Sequence, residues 1–134
     1  MNDPQNVVKD FRTPIGRARG LGSAKSGTGH FWWQRVTAVV LALLVPWLVG
    51  TLVSFIGADL GTVQATLARP YNAIGMAAFA VALFWHAKLG IQVVIEDYVH
   101  TRAWEVILQF LLTFACALGA LASLYAIARI AFLA

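Results

Sequence analysis

Three stretches of this chain contain no Asp, Glu, Lys or Arg at all: residues 36–58, 70–87 and 106–128, which hold 23, 18 and 23 residues. An α-helix rises 1.5 Å per residue, so ~20 apolar residues in a row cross the ~30 Å hydrocarbon core of a bilayer. Charge is confined to the ends and connections of the chain. Charged residues make up 12% of the 134, about half the ~25% usual in a soluble domain. A soluble globular domain is excluded. So is a disordered or nucleic-acid-binding main body, despite the net charge of +4. The fold class is all-α: an integral membrane protein with three transmembrane helices.

The spans are placed at about 36–56, 71–95 and 106–128, inside a membrane domain covering residues 30–134. Residues 1–29 read as a flexible tail, with Lys9, Arg12, Arg17, Arg19 and Lys25 against Asp3 and Asp10. The first apolar run starts too late and runs too long for a cleavable signal peptide. Pro46 falls inside the first span, where a packed bundle tolerates it. Pro70 stands at a natural helix start before the second. Trp32 and Trp33 read as an interfacial anchor. Ala115, Gly119 and Ser123 recur every four residues in the third span, a small-residue stripe on which another helix can lie closely. The single cysteine, Cys116, can form no internal disulfide and reads as a small residue among apolar ones. The stretch outside the membrane is too short for a catalytic domain, so the chain alone is expected to be non-catalytic.

Lys and Arg accumulate on the inner side of membrane proteins. Residues 1–35 carry six of them, whereas the 57–69 connection carries only Arg69. This asymmetry predicts an inner N-terminus, an outer 57–69 connection, an inner 96–105 connection and an outer C-terminus.

The second span concentrates the chemistry. Ionisable groups inside a membrane helix are costly and suggest a functional site. His86 and Asp97 are eleven residues apart, which on a helix puts them within 20° of one face and about 16 Å apart along the axis. Gly90 and Val93 share that stripe. An imidazole with a missing side chain one turn away suits a flat macrocycle. Taken alone, His86 reads more readily as a polar residue hydrogen-bonded to a neighbouring helix than as a ligand, and Asp97 and Tyr98 as an ordinary helix end at the interface. Lys88, Gln92 and Glu96 form a separate i, i+4, i+8 row along which the ammonium can snorkel.

His-x10-Asp-Tyr late in the middle of three spans, with Gln34-Arg-Val-Thr-Ala-Val-Val entering the first, resembles the small hydrophobic membrane anchors of succinate dehydrogenase (respiratory complex II). The likeness runs from Gly29 onward. It implies that His86 is an axial ligand of haem b iron, with Gly90 making room for the ring. Tyr98 and Asp97 would belong to a ubiquinone site, the Tyr98 hydroxyl donating to a quinone carbonyl. Arg35 would lie near the haem propionates or the quinone, and His30 is a weaker candidate for that region. The implied partners are a flavoprotein carrying FAD, an iron–sulfur protein, a second membrane anchor and membrane lipid, with no nucleic acid. The implied location is a bacterial inner membrane, N-terminus cytoplasmic and C-terminus periplasmic, with the mitochondrial inner membrane as the alternative.

Spacing adds one expectation of its own. His100 lies 14 residues past His86, about 21 Å along a continuing helix, and His30 precedes the first span. Neither is placed to share an iron with His86, so a second axial ligand would come from another chain. The competing function is a haem-free scaffold or transport-complex subunit in which His86, Lys88 and Asp97 are polar glue between helices. A fumarate reductase anchor, working in the reverse direction, is the near variant.

Overall fold

The computed structural model describes residues 27–133, so the expected basic tail, apart from its last three residues, lies outside the described residues. Four helices follow in order: α1 (Gly27–Val53), α2 (Leu60–Leu67), α3 (Pro70–Tyr98) and α4 (Arg102–Leu133). No strand occurs among the described residues. α1, α3 and α4 are each long and apolar enough to cross a membrane, as the three charge-free runs predict. At 27, 29 and 32 residues they measure roughly 40–48 Å and extend beyond the hydrocarbon thickness. The hydrogen-bond ladder does not stop where the apolar run stops.

α3 is the central element. It packs against α1 on one side and α4 on the other, while among the described residues α1 and α4 do not pack on each other. Few side chains are therefore deeply buried; Ala80, Ala82, Leu89 and Ile95 of α3 and Thr37 of α1 are among them. Lipid tails are as apolar as leucine, so close van der Waals fit and interhelical hydrogen bonds must hold such a bundle together.

Both seams close by setting an aromatic ring against a glycine. A Cβ built on Gly75 would stand 2.7 Å from Cη2 of Trp47, so the indole of α1 rests directly on the α3 backbone. One built on Gly119 would stand 2.6 Å from Cζ of Phe84. The stripe of small residues thus receives a ring at its middle member, Gly119, whereas Ala115 remains exposed. Trp33 and Trp85 add a tilted ring contact across α1 and α3, with centroids 5.5 Å apart. Trp33 therefore serves the helix seam as well as the chain's entry into the membrane.

α1 runs unbroken through Pro46 and then unwinds in short turns to Gly57, whose φ of +80° is a left-handed conformation that glycine adopts without steric cost. The connection beyond holds an element unforeseen from sequence, the eight-residue α2. Asp59 caps its start by accepting from the backbone N–H groups of Gly61 and Thr62. Asn72, only 3% exposed, donates from Nδ2 to the Thr66 carbonyl at 2.7 Å. That bond ties the end of α2 to the start of α3.

Candidate functional site

His86 lies on the side of α3 that faces α1, where it meets two polar side chains. Thr37 Oγ1 is 3.0 Å from His86 Nδ1, and Gln34 Nε2 is 3.4 Å from His86 Nε2. Both partners come from the polar entry of α1. His30, Gln34 and Thr37 fall at i, i+4 and i+7, the spacing that keeps side chains on one helix face.

The protons in this cluster can be assigned. The Thr37 hydroxyl lies 2.8 Å from the Trp33 carbonyl and 3.2 Å from that of Gln34. With its one proton given to these acceptors, Oγ1 is left to accept, and the matching tautomer donates from Nδ1 to Thr37 Oγ1. Nε2 is left with its lone pair, toward which the Gln34 amide points an N–H. At 3.4 Å that contact is long for a hydrogen bond. Among the described residues, two buried side-chain polar atoms lack a hydrogen-bond partner: Gln34 Oε1 and His30 Nε2. Gly90 opens onto the same group, since a Cβ built there would meet Gln34 Nε2 at 3.6 Å.

This donor set fits a haem ligand. Metal-bound histidines usually have their second ring nitrogen fixed by a hydrogen bond. Here the Nδ1 bond to Thr37 leaves the Nε2 lone pair as the ligating position, met only by the long Gln34 contact. The unpaired buried atoms nearby also mark polar groups that the described residues do not satisfy.

The other residues singled out from sequence are placed differently. Asp97 and Tyr98 close α3 and are exposed. Asp97 shares the His86 stripe along the unbroken helix, and neither side chain bonds to another described residue. Arg35 is exposed on α1, its guanidinium 5.0 Å from the centre of the Phe31 ring, and it makes no hydrogen bond with the His86 cluster. His100 Nδ1 lies 3.1 Å from the Tyr98 carbonyl in the connection to α4. Gln34 and Thr37 belong to this site without standing out individually in the sequence; the signal that could find them is the polar i, i+4, i+7 row at the entry to the first span.

The Lys88 row forms as its spacing suggests, on the opposite side of α3 from His86. Lys88 Nζ donates to Gln92 Oε1 at 3.0 Å, and Gln92 Nε2 donates to Glu96 Oε1 at 2.8 Å. Gln109 of α4 donates to the same carboxylate oxygen at 3.3 Å. The row therefore reaches across the α3–α4 seam. Cys116 is half-buried nearby, lining an apolar groove of about 390 Å³ with Trp85, Lys88 and Thr113.

Residues 9–124 match the family model of the succinate dehydrogenase/fumarate reductase transmembrane subunit. The succinate dehydrogenase hydrophobic membrane anchor subunit of Rickettsia bellii is 41% identical over 93 residues, covering 69% of this chain and 74% of the relative. That of Rickettsia typhi is 31% identical over 121 residues, or 90% and 97% of the two chains. The corresponding subunit of Paracoccus denitrificans is 34% identical over 119 residues, or 89% and 92%. No solved structure matches at a significant level. The resemblance read from His-x10-Asp-Tyr and the three spans is borne out: the chain belongs to the family of transmembrane subunits of succinate dehydrogenase and fumarate reductase.

Proposed function

We propose that the chain is a membrane anchor subunit of succinate dehydrogenase that ligates haem b through His86 and contributes Tyr98 and Asp97 to a ubiquinone site. The observation that carries this is the His86 ring, fixed at Nδ1 by Thr37 with Nε2 available, midway along the central helix of a chain in this family. Thr37 orients the imidazole and Gly90 leaves the adjoining turn open. Bound haem b would supply a one-electron redox centre. Tyr98 is well placed to donate its hydroxyl proton in a hydrogen bond to a quinone carbonyl, because it is exposed at the helix end and otherwise unengaged. Succinate oxidation would belong to a flavoprotein holding FAD, linked by an iron–sulfur subunit. A second anchor would provide the other axial ligand. The Lys and Arg asymmetry supports a cytoplasmic N-terminus and a periplasmic C-terminus in a bacterial inner membrane.

One observation favours the haem-free scaffold reading: both ring nitrogens of His86 already have partners on α1. The visible spectrum of the detergent-purified complex separates the two. The proposal expects a low-spin b-type haem that is lost or converted in His86→Leu. A haem-free complex, or an unchanged spectrum and midpoint potential in that variant, would establish the scaffold role.

A further inference from the structure

Among the described residues, Gln34 makes the polar contact to the nitrogen that haem iron would take. Its amide N–H points at the Nε2 lone pair of His86 from 3.4 Å, a longer contact than the 3.0 Å that Thr37 makes at Nδ1. The same amide borders the space that Gly90 leaves open, 3.6 Å from where a Cβ would stand. Its carbonyl oxygen, Oε1, is buried with no hydrogen-bond partner, an expensive arrangement for a neutral amide. One helical turn earlier, Nε2 of His30 is also buried and unpaired. Side chains four residues apart on a helix can reach each other, so each orphan is a natural partner for the other once the Gln34 side chain turns.

Resting on the haem reading above, we infer that Gln34 is a displaceable plug of the His86 site. In the haem-free chain its carboxamide lies at the edge of the niche over Gly90 and caps the ligating nitrogen. On haem insertion it yields both and turns toward His30, whose Nε2–H then donates to Gln34 Oε1. The exchange balances without redox or proton transfer. An N–H···Nε2 hydrogen bond breaks, an iron–Nε2 bond forms, and Nδ1 keeps its proton and its bond to Thr37. The plug makes the empty site self-contained in the membrane and leaves it with a weak, reversible stopper.

The test uses the complete complex produced in haem-deficient cells, with haemin added and the Soret band followed after rapid mixing. Gln34→Ala removes the plug; Gln34→Leu keeps its bulk but not its hydrogen bond, and carries the test if the alanine variant does not assemble. Losing a neutral hydrogen bond of this kind is expected to speed uptake by about 2- to 10-fold, with the final low-spin spectrum unchanged. His30→Leu, which removes the resting place of the turned amide, is expected to slow uptake. Uptake at the wild-type rate in both Gln34 variants would overturn the plug. Failure of the wild-type complex itself to take up haem would overturn the haem reading beneath it.

Discussion

Thr37 Oγ1 and His86 Nδ1 meet at 3.0 Å across the α1–α3 seam, 49 positions apart in sequence. Thr37 is 7% exposed, so this bond is sheltered and sets the orientation of the ring. Thr37→Val keeps the shape and removes the acceptor. Residues that orient a metal ligand in this way are worth roughly 10–100-fold in metal affinity. The haem content of the purified Thr37→Val complex is therefore expected to fall on dilution under conditions where wild type retains it. Equal retention would show that the seam, not the hydroxyl, orients His86.

Tyr98 is 77% exposed and its hydroxyl has no described partner, so folding does not depend on that group. Tyr98→Phe should leave assembly and haem content intact while weakening quinone reduction. The lost hydrogen bond is worth about 0.5–1.5 kcal/mol, or up to roughly a tenfold rise in the quinone KM. Succinate oxidation with a soluble artificial acceptor should be spared. An equal loss of both activities would make Tyr98 a structural residue.

These two residues show what the sequence could and could not convey. His86 and Tyr98 are visible because ionisable and polar groups stand out within or beside an apolar helix. Thr37 and Gln34 both meet His86 in space, but their pairing depends on how α1 slides and turns against α3, which no periodicity within one helix records. The bundle closes through the matches of Trp47 to Gly75 and Phe84 to Gly119. The Gly119 stripe hinted at one of these seams and nothing hinted at the other. α2 escaped notice because eight residues containing Gly and two Thr carry little helical signal. It is held instead by the Asp59 cap and the Asn72 bond.

That cap makes α2 sensitive to acid. The Thr62 hydroxyl, followed by backbone N–H groups, stabilises the Asp59 carboxylate and lowers its pKa from the ordinary 3.8. A lowered folded-state pKa stabilises the folded form above the unfolded value, and this stabilisation is lost as the pH falls through the depressed folded value. Hydrogen-exchange protection of residues 60–67 should thus hold at neutral pH and decline below about pH 4. Asp59→Asn, which still caps a helix but cannot titrate, should remove that decline. The idea fails if the decline persists in the asparagine variant.

The contact of Phe84 with Gly119 predicts a strong coupling between α3 and α4. Any Cβ at position 119 would intrude on the ring, since even an ideal one lies 2.6 Å from Phe84 Cζ. The ring must then move, because the glycine is backbone and the helix cannot yield as easily. Gly119→Ala is expected to destabilise the seam by about 1–3 kcal/mol, the usual cost of overpacking. Phe84→Leu alone should cost something too, by leaving the groove underfilled. Combined, the two should cost less than their sum, because the smaller side chain makes room for the new methyl group. Thermal unfolding of the purified complex in detergent, measured for wild type, both single variants and the double, gives the coupling directly. Strict additivity would mean that the ring does not bear on Gly119, and that the α3–α4 seam is held by the Glu96–Gln109 bond and the surrounding apolar contacts instead.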